Sequence, residues 1–234
     1  MDLHPRYEII GPIASGDFAT VYRARDKELE RDVAIKQIHP HFLNDPRRLD
    51  SFWREAQLLA SLAHPNVMTI YDIVRERGWL ILELMQGQLQ QYAAGNPLPP
   101  EILRPALAGT LEALEFLHRS GITHGDVKPT NLLIDRLNRI KLGDFGLARR
   151  AASDQGSLIK GTTQYMAPEL VSPGFGEVGP ASDLYSLGFS IYQLAVGQQQ
   201  FEDLFPGLDA FGADRQIAWI MWHGAADRQA PPLE

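Results

Sequence analysis

The sequence predicts an α+β protein of two lobes, a β-rich N-terminal lobe over residues 1–85 and a helical C-terminal lobe over residues 86–234, with a ligand cleft between them. Three features predict it. Period-two alternation dominates the first third, in Ala19 to Ala24 and Asp32 to Ile38. A glutamine-, glycine- and proline-rich connection runs from Gly87 to Pro100. Beyond it, long stretches carry apolar residues at helical spacing.

Tyr7 to Ile10 is short and apolar and reads as the first strand, followed by the two alternating runs. From Arg47 to Ala63, Leu49, Phe52, Trp53, Ala56, Leu59 and Ala60 recur at intervals of three and four, which predicts a helix ended by His64-Pro65-Asn66. Strands are expected over Met68 to Val74 and Trp79 to Leu84, joined by a turn at Glu76-Arg77-Gly78. In the second lobe Glu101 to Arg119 predicts an amphipathic helix with Leu103, Leu107, Leu111, Leu114 and Leu117 on one side. Pro105 predicts a late start or a kink in it. Leu132 to Ile134 and Ile140 to Leu142 read as short strands. Asp183 to Val196 is apolar nearly all round and therefore a buried helix, and Phe211 to His223 reads as one more.

Composition removes several function classes. The 234 residues include no cysteine, so disulfides, thiolate metal sites and a cysteine nucleophile are excluded. Net charge is −7 with both signs interspersed, and no Lys/Arg run suggests nucleic acid or a membrane surface. No stretch reaches the ~18 apolar residues of a membrane span, and the N-terminus lacks a signal-peptide core, so a cytoplasmic location is expected.

The chemistry-bearing residues lie in four places. Ala14-Ser15-Gly16-Asp17-Phe18-Ala19 is a turn of small residues before a strand, where backbone amides can approach phosphate oxygens. No Walker-type loop is present. Lys36 ends the apolar run Val33-Ala34-Ile35; facing inward it needs an anion, and Glu55 on the following helix is the candidate. The run His124-Gly125-Asp126-Val127-Lys128-Pro129-Thr130-Asn131 follows a long helix, and Gly143-Asp144-Phe145-Gly146 follows a short strand. Phosphoryl transfer needs a carboxylate for the attacking hydroxyl, cations for the phosphates and hard oxygen ligands for Mg²⁺. Asp126 fits the first, Lys128 the second, Asn131 and Asp144 the third.

From Tyr7 to about Gly197 the chain resembles the eukaryotic-type serine/threonine protein kinases, including those of bacteria, on the strength of these motifs and of Ala167-Pro168-Glu169. The resemblance implies a two-lobed kinase-like fold with ATP in the cleft and Mg²⁺ on Asn131 and Asp144. It makes Asp126 the catalytic base, gives Lys36 and Glu55 an ion pair, and lines the nucleotide site with Ile13, Ala14, Gly16, Val21, Ala34, Lys36, Leu133, the gatekeeper Leu82 and the hinge residues Glu83 and Met85. Leu59, His124 and Phe145 become a packed column anchored by Asp183. Thr162, Ala167, Pro168 and Glu169 join the segment that receives a protein substrate, and Lys128 with Thr162 is the serine/threonine signature.

The chain departs from that pattern in three places. Ala14 and Ala19 stand where the phosphate loop usually has glycine. Gly125 replaces the arginine that pairs with an activation-loop phosphate, so activity is expected not to depend on that contact, whether or not Ser153, Ser157, Thr162 or Thr163 is phosphorylated. After Gly197 the region is short for the family: the C-terminal lobe reads as truncated, as in a natural short variant, a truncated gene product or a fragment that a partner or further segment covers, and Arg215 and Arg228 are the only arginines left for Glu169.

Overall fold

The computed structural model describes residues 4–44, 46–145, 163–208, 213–225 and 227–232, and these form the two expected lobes. Strands β1 (Tyr7–Ser15), β2 (Ala19–Asp26), β3 (Arg31–Ile38), β4 (Ile70–Val74) and β5 (Trp79–Glu83) make an antiparallel sheet in the order β1-β2-β3-β5-β4. β1 runs five residues past the expected Ile10. It carries Pro12 there because it is an edge strand, and its register slips on either side of the proline. The edge is pinned by charge. Asp26 is fully buried and accepts Nε and Nη2 of Arg6, both at 2.9 Å. That bond holds its carboxyl at about 2, against the opposing pull of burial. Tyr7 Oη donates to Asp72 Oδ2 at 3.0 Å, tying β1 to β4.

Helix α1 (Pro46–Ala60) packs Phe52, Trp53, Ala56 and Leu59 under the sheet. The connection after it is bolted to the lower lobe. Asn66 Nδ2 donates to Ile140 O at 2.8 Å, and the backbones of Asn66 and Met68 bond to Leu142. One apolar core therefore runs through both lobes, from Ala34 and Ile38 to Leu114, Leu117 and Leu187.

The lower lobe begins with β6 (Gly87–Gln88) and α2 (Leu89–Ala93); β6 joins β7 (Leu132–Ile134) and β8 (Ile140–Leu142) in a small sheet. Helix α3 (Pro100–Arg119) runs unbroken through Pro105 rather than starting late. Its buried face is Ala106, Gly109, Thr110, Ala113, Leu114 and Leu117, and that burial outweighs the one backbone bond a proline removes. Leu111, expected on the same side, is 40% exposed, because each four-residue step from Leu103 through Leu107 overshoots a 3.6-residue turn by about 40° and rotates it away from the seam.

Helices α4 (Pro168–Val171), α5 (Pro180–Val196), α6 (Gln198–Leu204) and α7 (Ala213–Gly224) complete the described elements. Of these, α4 and α6 are not among the helices the sequence predicts. Phe201 of α6 and Phe205 just past its end join Phe189 of α5 and Trp219 and Trp222 of α7 in a second core of aromatic rings, with Phe201 stacked on Trp219 at 5.9 Å. His223 sits fully buried among them, donating Nε2–H to the carbonyl of Gln164 (3.1 Å) while Nδ1 takes the Tyr185 hydroxyl (2.8 Å). Burial pushes its pKa down to about 4. On the far side of α7, Ile217 and Met221 stay exposed.

Candidate active site

The loop from Ile122 to Leu132 is hung from one buried carboxylate. Asp183, in the first turn of α5, accepts the backbone N–H of His124 through Oδ2 and of Gly125 through Oδ1, each at 2.8 Å, and also bonds His118 Nε2 at 2.8 Å. Gly125 adopts φ +76°, a region that side-chain-bearing residues enter only at a cost. An added Cβ would meet none of the described residues within 4 Å there, so among them the demand at this position is conformational rather than steric.

His124 joins two functional loops. Its Nδ1 accepts the N–H of Asp126 at 3.2 Å, which leaves the proton on Nε2 to reach Gly143 O at 3.2 Å. Its ring lies 4.9 Å from that of Phe145. Burial keeps the imidazole pKa below its ordinary value, so the neutral form that this pairing needs is the stable one. Leu59 is buried in the same core as Phe145.

Five of the six polar side chains expected to do chemistry form one chain of contacts. Lys128 Nζ reaches Asp126 Oδ2 at 2.8 Å. Asn131 Nδ2 donates to the carbonyl of Asp126 at 2.7 Å and to its Oδ2 at 3.1 Å. The same amide lies 3.4 Å from Asp144 O, and Asp144 Oδ1 pairs with Lys36 Nζ. Asp144 sits at φ +55°, which a short polar side chain tolerates better than most. Partial loss of water at the cleft works to raise its carboxyl pKa, although the side chain stays half exposed, and the Lys36 ammonium, with Lys128 behind it, holds the group below its ordinary value.

One expectation is corrected here. The ion pair of Lys36 is with Asp144, not with Glu55, which lies half-buried on α1. The physical reason is proximity: Lys36 is only 16% exposed, and the turned backbone at Asp144 brings a carboxylate oxygen onto it.

Above this chain lie the residues expected around a nucleotide. Val21, Ala34, Leu82, Met85 and Leu133 belong to the same apolar cluster, and Ala34 pairs with Leu82 across the β3–β5 ladder. Ile13, Ala14 and Gly16 are exposed on the tip of β1 and its turn, where Gly16 N bonds Ala19 O at 3.0 Å. Gly143 lets the cleft close: a Cβ there would stand 2.6 Å from Leu133 Cδ1. Glu83 is anchored by a partner that sequence reading missed. Lys141 on β8, buried, places Nζ 2.7 Å from Glu83 Oε2, so an ion pair ties the end of β5 to the lower lobe.

Thr162, with Ser153, Ser157 and Gly146, lies outside the described residues. Ala167 and Pro168 are buried. Glu169 takes neither arginine: its Oε1 accepts the hydroxyl of Ser182 on α5, while Arg228 bonds Ala225 O and Arg215 turns to Gln164. A hydroxyl replaces the expected cation because Ser182 Oγ already sits at the start of α5, facing the turn of α4.

The model of the protein kinase domain family matches residues 7–222. The chain belongs to that family. This kinase domain is 35% identical over 204 residues to the serine/threonine-protein kinase PrkC of Bacillus subtilis, covering 84% of the chain and 31% of that protein. Its identity to PknB of Mycobacterium leprae is 34%, covering 85% and 34%, and to PknL of Mycobacterium tuberculosis 36%, covering 85% and 51%. The kinase domain thus spans between about a third and a half of the length of these relatives. Among its described residues no helix is long and apolar enough to cross a membrane.

Two features of the kinase domain escaped sequence reading because they are polar residues in apolar settings. Gln193 stands inside the apolar run of α5, and Gln164 directly before Tyr165. Both are buried and bonded to each other, Gln164 Nε2 to Gln193 Oε1 at 3.0 Å. A glutamine breaking an otherwise apolar helix was the available signal, since a buried amide requires partners.

Proposed function

We propose that this kinase domain transfers the γ-phosphoryl group of ATP to serine or threonine hydroxyls of protein substrates, in the cytoplasm where ATP is supplied. The observation that carries the reading is the continuous contact chain Lys36–Asp144–Asn131–Asp126–Lys128. Asp126 Oδ2 is held by Lys128 and Asn131, which leaves Oδ1 for the substrate hydroxyl. As the hydroxyl oxygen bonds to the γ-phosphorus, its proton passes to Asp126 and the bond to the β–γ bridging oxygen breaks, releasing ADP. Lys128 lies beside that carboxylate and neutralises charge on the transferred group. Lys36 reaches into the same space from the upper lobe and suits the α- and β-phosphates.

The donor set fits Mg²⁺. Asn131 uses its nitrogen on Asp126, so Oδ1 remains as a hard oxygen, and Asp144 keeps Oδ2 unbonded among the described residues. Mg²⁺ held there would draw off negative charge as the phosphoryl group moves. The names of the relatives and the presence of the Ala167–Glu169 segment support a protein substrate over a small molecule.

Radiolabel transfer from ATP to a generic basic protein, with Asp126→Asn as control, tests the reading. The substitution is expected to lower transfer at least ~100-fold with the fold and ATP binding intact. A folded, ATP-binding wild-type protein that transfers nothing refutes it and leaves a nucleotide-binding module.

A further inference from the structure

We infer that the cavity between the catalytic loop and α7 is a subsite for an anionic side chain of the protein substrate, with Arg215 as its specificity determinant; this rests on the proposed kinase activity and deepens it. The cavity measures about 610 Å³. Lys128 and Thr130, two and four residues past Asp126, line it together with Arg215 and Trp219 of α7. A peptide whose hydroxyl reaches Asp126 must therefore pass this opening.

Arg215 carries the inference. It donates Nη2 to Gln164 Oε1 at 3.0 Å and makes no ion pair among the described residues. Most of its five N–H donors are left for a ligand, in a fork that matches a carboxylate or phosphate. The fork is also preoriented. Gln164 passes its own N–H to Gln193, Gln193 to Gln198, and Gln198 to Glu202. Every amide oxygen in this relay faces the Arg215 end and every amide nitrogen the Glu202 end, so the arginine is gripped by a dipole and the nearby carboxylate is occupied elsewhere. Among the described lining residues Asp17 is the only acidic one, against Lys128 and Arg215, although the whole chain carries −7. Lys128 is already paired with Asp126, which leaves Arg215 as the cation a substrate would meet.

Fluorescent serine peptides carrying Glu, phosphoserine, Gln or Lys at each of four positions on either side of the acceptor test this, by anisotropy for binding and by radiolabel for transfer. At one position the Glu or phosphoserine peptide is expected to bind at least about tenfold more tightly than the Gln peptide, and the larger of the two gains identifies the anion. Arg215→Gln levels that preference and Arg215→Glu turns it toward Lys, with melting temperatures confirming that both variants fold. Equal binding of Glu, phosphoserine and Gln peptides by the wild type, a preference for Lys, or an unchanged order in Arg215→Glu overturns the subsite. Selective binding of anionic peptides without transfer refutes the kinase reading while the subsite stands.

Discussion

The two ends of the molecule are fastened by opposite means. At the top edge of the upper lobe a buried carboxylate, Asp26, is held charged by Arg6. At the bottom of the lower lobe a buried imidazole, His223, is held neutral by a nest of aromatic rings. The difference follows from what each must anchor. An edge strand has no second layer to bury, so directional charge fixes its register; three helices meeting at their ends offer area, and rings fill it. A consequence is that the first anchor needs a charge and the second needs the absence of one.

Truncating the aromatic anchor should have the largest effect. Trp219 is 2% exposed, and its indole N–H finds no acceptor among the described residues, so its contribution is packing. Trp219→Ala is expected to cost about 3–5 kcal/mol in urea unfolding, whereas Trp219→Phe, which keeps a ring and removes an unsatisfied donor, should cost markedly less. Equal losses would mean that the indole nitrogen matters and the anchor is not a packing device.

Acid should separate the two anchors in order. His223 has its folded pKa lowered from 6.5 to about 4, so the unfolded chain takes the proton first. Its contribution is complete above pH 6.5 and is lost as pH falls toward 4, a change of roughly 3 kcal/mol. Protonation also obliges Nδ1 to donate where it now accepts the Tyr185 hydroxyl. Asp26, lowered from 3.8 to about 2, keeps its contribution until pH falls through that lower window. Each lobe holds two of the four tryptophans, Trp53 and Trp79 above, Trp219 and Trp222 below. The four indole N–H resonances of the wild-type protein, followed by NMR from pH 7 to 2, should report the lower lobe loosening first; the reverse order would overturn the comparison.

The smallest expected effect lies between the anchors, where the catalytic loop hangs from Asp183. Gly125→Ala meets none of the described residues within 4 Å but imposes a left-handed backbone on a residue with a Cβ, and is expected to cost about 1–2 kcal/mol. Thermal denaturation checks it. A cost above that of Trp219→Ala would show that the loop, not the aromatic core, governs the stability of the lower lobe.

Much of this was legible beforehand. Alternation in β2 and β3 located the strands that carry Val21, Ala34 and Lys36, because one buried sheet face writes a period of two into the sequence. The loop residues Asp126, Lys128 and Asn131 meet because they are five positions apart on one short turn, so sequence spacing alone brings them together. Contacts between distant segments were not legible. Nothing local marks Lys141 as the partner of Glu83, or Asp144 rather than Glu55 as the partner of Lys36, since both choices depend on how the lobes close. Arg215 was read as a candidate for Glu169 because arginines after that residue are few; the structure gives it a buried glutamine instead.

The chain of contacts in the cleft has an uneven ownership. Asp126, Lys128, Asn131 and Asp144 all belong to the lower lobe, and the His124 ring rivets their two loops into one plate. Lys36 alone arrives from the upper lobe. Were the lobes to separate, four of the five groups would keep their mutual geometry and only the Lys36–Asp144 contact would open. The distance between Lys36 and Asp144 is therefore a gauge of closure, and a pair of spectroscopic labels spanning the β3–β8 gap would read the aperture of the cleft without touching its anvil.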